Sequence, residues 1–180
     1  MDAFARLRLP HDLSFDESQL REAYRQMSKE LQAAQPDESA QASLTAAYQL
    51  LLSPASRLRH WLEKQGHSGS DRGAIDGELL DSFTKVAQVL QSTDELLRRR
   101  EQCQTALAKA LMENALQQGR MQVENCQAEL QELLRTKIAL FPHITAGTLS
   151  PEQAWCCVRD LSFIEKWQRQ LRERYGKFFF

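Results

Sequence analysis

Proline and glycine are scarce, five and seven in 180 residues. No stretch alternates apolar and polar residues for long enough to predict a strand. The longest apolar runs fall far short of the ~18 residues that a membrane span requires. The opening, MDAFARLRLPHDLSF, has no apolar signal core and carries an acid at its second position, so a cytoplasmic chain is expected. A net charge of −1 leaves no excess of positive charge for phosphate neutralisation, so neither nucleic acid nor membrane is an expected partner. The four cysteines, Cys103, Cys126, Cys156 and Cys157, form no CxxC pair and no cysteine–histidine cluster. Cys156 and Cys157 are adjacent and point to different helix faces. Reduced thiols, some of them in a core, are the expectation, with no metal site. His11, His60, His67 and His143 are scattered, without a carboxylate or nucleophile at a suggestive spacing, and no glycine-rich phosphate loop occurs. The chain reads as a non-enzyme without a cofactor.

What is abundant is helical periodicity. Asp16 caps a helix predicted from Glu17 to about Ala34, with Gln19 completing a capping box. Leu20, Ala23, Tyr24, Met27 and Leu31 fall on one face of it. Arg21, Arg25 and Lys29, each four residues apart, make a basic stripe beside that face. Pro36 interrupts the pattern, and Asp37 can cap a second helix through Leu52 with Leu44, Ala47, Tyr48 and Leu51 inside. Pro54 permits a third, from Ala55 to about Lys64. The stretch QGHSGSDRG, residues 65–73, is rich in glycine and serine and reads as a linker.

Residues 78–141 contain no proline and one glycine, Gly119. A single helix of roughly 65 residues at about 1.5 Å each would be an implausibly long rod. A turn is expected near Ser92–Thr93 or Gln117–Gly119, and Pro142 should end the tract. Ser150-Pro151-Glu152-Gln153 is a strong helix start, with cap, first-turn proline and box-closing Gln. The last helix presents Trp155, Val158, Leu161, Phe163, Ile164, Trp167 and Leu171, ending near Gly176. The terminal Phe178, Phe179 and Phe180 fit either a docked tail or an exposed sticky end. The fold class expected is all-α: a helical hairpin domain over residues 1–65, a linker over 66–76, and a helical bundle over 77–180.

Particular residues carry a resemblance. Asp2, Phe4, Leu7, Leu9 and Pro10, then Leu20, Tyr24 and Met27, resemble the start of a J domain. Ala47, Tyr48, Leu51, Pro54, Arg57 and Leu62 fill the places of its closing half, although Thr45 stands where the family usually has Asn. VRDLSFIEKWQRQLRERY, from Val158 to Tyr175, resembles the last helix of HscB-like proteins, J-domain co-chaperones of iron–sulfur cluster assembly. The resemblance covers nearly the whole chain. It implies a J-domain-like hairpin followed by a three-helix bundle, a co-chaperone function, and as partners an Hsp70-type chaperone and an iron–sulfur scaffold protein.

In that family a His-Pro-Asp loop between two long helices triggers ATP hydrolysis by the Hsp70. The corresponding positions here are Gln32, Ala33 and Ala34. Gln35-Pro36-Asp37 follows three residues later, and two readings fit it: a displaced remnant of the motif, or a proline break with an Asp cap. The histidine is absent in both, and the hairpin tip is about ten residues shorter than the family pattern. The resemblance assigns Arg21, Arg25, Lys29, Gln35, Pro36 and Asp37 to the Hsp70-facing side, with ATPase stimulation impaired. The alternative for the three basic residues is a solvated charged face.

The resemblance also places a scaffold-binding patch at Leu79, Leu80 and Phe83, with Phe163 from the last helix. Ordinary core packing would produce the same spacing. Of the family's flanking acids Asp81 is present; the others fall on Thr84, Ala87 and Gln88. Two functions follow: a co-chaperone that binds an iron–sulfur scaffold and presents it to an Hsp70, or a degenerate J-like helical adaptor without Hsp70 activity.

Overall fold

A computed structural model describes residues 2–34 and 38–179. Those residues form eight helices and no strand: α1 (Ala3–Arg6), α2 (Glu17–Ala34), α3 (Glu38–Leu52), α4 (Pro54–Lys64), α5 (Gly77–Gln102), α6 (Ala106–Ile138), α7 (Phe141–Thr145) and α8 (Pro151–Lys177). Long-range contacts group them into two compact units, Met1–Gly73 with Lys137–Ser162, and Ala74–Thr136 with Phe163–Phe180.

In the first unit, local signals set the helix ends. The Asp16 carboxylate accepts from the Gln19 backbone N–H at 2.8 Å while the Gln19 side chain accepts from the Asp16 N–H at 3.0 Å, a closed capping box. α4 begins one residue earlier than expected, because Pro54 occupies its first turn and Ser53 caps it through the Ser56 N–H at 3.1 Å. Leu20 of α2 is buried, and Ala23, Tyr24, Met27 and Leu31 lie half-buried on the same face. They meet Leu44, Ala47 and Leu51 of α3, which are fully buried. Tyr24 and Tyr48 pack with ring centroids 4.6 Å apart. The Tyr24 hydroxyl lies 3.2 Å from Thr45 Oγ1, and Gln41 donates to Ser28 Oγ at 2.8 Å. Thr45, out of pattern for a J domain, thus ties the hairpin across its interior. Trp155, Val158 and Leu161 from the beginning of α8 and Phe141 and Ile144 of α7 complete the core of this unit.

The second unit is the three-helix bundle of α5, α6 as far as Thr136, and α8 from Phe163 onward. Its core is Leu79, Val86 and Leu97 from α5, Leu116, Val123, Cys126 and Leu130 from α6, and Ile164, Trp167 and Leu171 from α8. The turn between the two long helices is not at Ser92–Thr93 or Gln117–Gly119 but at Cys103–Thr105. Thr105 Oγ1 takes the Ala108 N–H at 3.1 Å and starts α6 there. Arg99 and Arg100 in the last turn of α5 favour its negative end. Both residues expected to break the helix serve packing. Thr93 is buried at 2% exposure, and Gly119 sits where a Cβ would meet Leu96 at 2.6 Å and the Phe178 ring at 3.3 Å. Pro142 does not end the tract either: α6 stops at Ile138, and Pro142 lies in the first turn of α7.

α8 opens as expected, Ser150 and Gln153 exchanging hydrogen bonds of 2.8 and 3.2 Å. At its other end the Arg100 guanidinium donates to the carbonyls of Phe178 and Lys177 at 3.0 and 2.9 Å. Of the aromatic tail, Phe178 is buried, whereas Phe179 is exposed with its ring edge-on to Tyr175 at 5.3 Å. Among the described residues no helix is long and apolar enough to cross a membrane.

Candidate functional site

The basic stripe lies on α2 beside the face that packs on α3, with Arg21 close enough to Tyr48 of α3 to interact with its hydroxyl. Arg21, Arg25 and Lys29 are exposed, one helical turn apart. The first two already have acidic partners on the same helix: Arg21 bonds Glu17, and Arg25 lies 3.2 Å from Glu22. Arg8 approaches Glu30, beside Lys29, at 2.9 Å. Exposed pairs of this kind contribute little stability, about 0–1 kcal/mol each. Their consequence is electrostatic, since each carboxylate offsets part of the field that a partner would feel. Gln35, Pro36 and Asp37 lie outside the described residues. Gln32 and Ala33, at two of the family's loop positions, lie in the last turn of α2 and are exposed.

The apolar patch belongs to the three-helix bundle, and it separates into two kinds of residue. Leu79 is completely buried in the bundle core and offers no surface. Leu80 and Phe83, on the outer side of the same turn of α5, are 56% and 54% exposed. One residue per 100° of helix explains the split: Leu79 shares the inward side with Val86 and Leu97, and Leu80 points away from them. Phe163 of α8 is half-buried and forms the edge of the patch. Beneath the rings lies Trp167, which sequence reasoning had as a core residue alone. Its centroid is 6.0 Å from Phe83 and 5.8 Å from Phe163, with interplanar angles of 53° and 37°. Phe83 thus stands on a packed aromatic base that costs no rotamer freedom on binding, and Leu80 is exposed beside it on the same turn.

Three features of the first unit had no site assigned from sequence. Arg57 is buried, its guanidinium lying 4.6 Å from the Phe15 ring centre and donating to the Phe15 carbonyl at 3.0 Å. Asp2, His11, Phe4 and His60 form a cluster at the start of the chain: Asp2 Oδ2 lies 3.0 Å from His11 Nε2, and Phe4 stacks on His60 at 5.8 Å. Lys137 and Asp160 pair in the interior at 2.7 Å. Only the spacing of apolar neighbours around Lys137 and Asp160 hints at burial in the sequence.

Reactive chemistry is sparse around these groups. Burial pushes the Cys157 thiol up to about 12, so it stays protonated near neutrality. Among the described residues no three histidine, cysteine, aspartate or glutamate side chains gather as a metal-binding group.

No family model matches the chain, and no curated protein matches it in sequence. Among solved structures it is similar to the chaperone HscB from Vibrio cholerae, with a TM-score of 0.63 over 96% of this chain and 96% of that one. The sequences are 20% identical over that alignment. The likeness spans both the hairpin and the bundle, and the chain has an HscB-like, all-α fold.

Proposed function

We propose that this protein is a co-chaperone-like binding protein, without catalysis of its own, that engages an iron–sulfur scaffold protein through Leu80, Phe83 and Phe163. The observation that carries this reading is the pair of large apolar side chains exposed on one turn of α5, Phe83 packed on Trp167 beside Phe163, in a chain of HscB-like fold. Fold likeness alone does not assign function, so the patch bears the weight of the proposal. Full burial of a Leu or Phe is worth about 1.5–3 kcal/mol. Both residues are already about half covered, so a partner gains roughly half of that from each. Two such anchors supply about 1.5–3 kcal/mol together, so a micromolar interaction, about 8 kcal/mol, draws the rest from contacts around them.

In this reading the exposed Arg21, Arg25 and Lys29 face an Hsp70-type chaperone, to which the scaffold is presented in the cytoplasm. Stimulation of ATP hydrolysis is impaired, because the histidine of the family's loop is missing. Gln35, Pro36 and Asp37 belong to the same proposed face. A second reading is an adaptor that kept the fold and no longer engages an Hsp70. The carboxylates of Glu17 and Glu22, which already occupy Arg21 and Arg25, favour it.

Calorimetric titration with the host's iron–sulfur scaffold protein tests the first reading. Micromolar binding that a Leu80→Ala, Phe83→Ala variant weakens tenfold or more, about 1.4 kcal/mol, is the expected result. Absence of binding refutes it. An ATPase assay separates the readings of the other face: no acceleration of the Hsp70 at saturating protein selects the adaptor.

A further inference from the structure

The exposed patch continues along α5 as a face without charge. At 3.6 residues per turn, Leu80, Phe83, Thr84, Ala87 and Gln91 share one side of the helix, and all five are exposed. Leu80 to Gln91 spans about 17 Å at 1.5 Å per residue. No ionisable side chain stands on that side within the span. Lys85 is turned toward α6, where it meets Glu129 at 2.5 Å. The strip closes at Asp94, which is bonded to Arg174 of α8 at 3.3 Å. Along α8 the facing residues are Phe163, Trp167 and the neutral, half-buried Gln170. Beside the span stand Asp81 on α5 and Lys166 on α8; beyond its ends Asp76 caps α5 one turn before Leu80, and Glu95 follows Asp94.

Charge complementarity limits what such a strip can hold. A basic segment laid along the middle of it would lose hydration and find no carboxylate on that side, the nearest being Asp81 at its flank and Asp76, Asp94 and Glu95 beyond its ends. Desolvating an unpaired charge against apolar side chains is costly. An uncharged apolar segment faces no such cost and displaces water from Leu80, Phe83 and the Ala87 methyl. We propose that the occupant of this strip is a protein segment whose contact face is apolar and uncharged, and that ionic attraction contributes nothing to its recognition there. The identity of the protein carrying the segment rests on the scaffold reading above; the chemistry of the segment rests on the strip itself.

The test uses the whole chain and two synthetic helical peptides with the same apolar stripe, one flanked by Gln and Ser, the other by Lys. Each is titrated calorimetrically at about 50 and about 500 mM salt, where surface attraction is respectively strong and screened. The neutral peptide is expected to bind with a Kd that moves less than about twofold between the two conditions, and the Lys-flanked peptide to bind no tighter. A fluorotryptophan resonance assigned to Trp167 through Trp167→Phe should shift on binding, placing the peptide on the strip. The variant Thr84→Glu, Ala87→Glu should weaken the neutral peptide tenfold or more while its Tm stays at that of the parent, since both positions are exposed. Tighter, salt-sensitive binding of the Lys-flanked peptide overturns the proposal. Tightening by the two glutamates, or failure of both peptides to bind, overturns it too. The scaffold protein is titrated in parallel. If it fails to bind while the neutral peptide binds, the functional reading falls and this one stands. Scaffold binding that collapses at high salt does the reverse.

Discussion

Lys137 Nζ lies 2.7 Å from Asp160 Oδ2, and the two side chains are only 6% and 2% exposed. Two charges so deeply placed lose most of their hydration, and their attraction compensates only while both are present. Removing one leaves the other buried without its counter-charge. Lys137→Met or Asp160→Asn is therefore expected to cost about 3–5 kcal/mol in urea unfolding. Lys137→Met combined with Asp160→Leu should recover much of that loss. Equal destabilisation by single and double variants would show that the pair does not act as a unit.

Gly119 carries a different constraint. It lies inside α6, where glycine ordinarily weakens a helix by about 0.8–1 kcal/mol relative to alanine. A Cβ there would meet a Leu96 methyl at 2.6 Å and the Phe178 ring at 3.3 Å. The Leu96 methyl is the end of a flexible, half-buried side chain and can give way, so the helix gain and the crowding should nearly cancel in Gly119→Ala. Gly119→Val adds two more carbons against Phe178 and is expected to destabilise by about 1–3 kcal/mol. Thermal melts of the two variants decide it; a Val variant as stable as the Ala variant would remove the close approach as the reason for glycine.

Local chemistry made most helix ends legible. Asp16 with Gln19, and Ser150 with Pro151 and Gln153, identify their helix starts because the interacting groups sit within one turn in sequence. The turn at Cys103–Thr105 was not legible, since a lone Thr cap inside a long apolar periodicity is a weak signal and no glycine or proline marks it. Gly119 misled for the opposite reason: its partners, Leu96 and Phe178, are distant in sequence. The grouping of residues 137–162 with the N-terminal helices likewise depends on long-range contacts that periodicity does not encode. For the patch, the resemblance placed Leu79, Leu80 and Phe83 together, and only the bundle's geometry divides the first from the other two.

His60 should make stability depend on pH. Its Nε2 accepts the Ala3 backbone N–H at 3.2 Å, which a protonated ring nitrogen cannot do. Burial lowers its pKa below the ordinary 6.5, and nearby Lys64 acts the same way; Asp2, at 3.8 Å, and Glu63 oppose the shift. A folded state that binds the proton more weakly than the unfolded chain is most stable above pH 6.5, and loses that contribution as pH falls below 6.5 toward the folded-state value. The Tm is expected to fall between pH 7.5 and pH 5.5, about one unit either side of the imidazole pKa, and His60→Gln should flatten that dependence. An unchanged slope in His60→Gln would show that His60 is not the source of the dependence.

Adjacent leucines offer the sharpest contrast between stability and binding. Leu79 is 0% exposed and packs in the bundle core, whereas Leu80 is 56% exposed one residue later. Leu79→Ala leaves a cavity among Val86, Ile164 and Trp167 and is expected to cost about 2–5 kcal/mol. Leu80→Ala removes a side chain that is mostly in water already and should change stability by less than about 1 kcal/mol. Binding should respond in the other order: Leu80→Ala weakens capture of the scaffold or of a neutral apolar peptide, and folded Leu79→Ala protein at low temperature retains most of it. Denaturant unfolding and calorimetry on the same two preparations test both halves. A Leu79→Ala protein that is stable but unable to bind would mean that α5 turns when a partner arrives, bringing Leu79 to the surface.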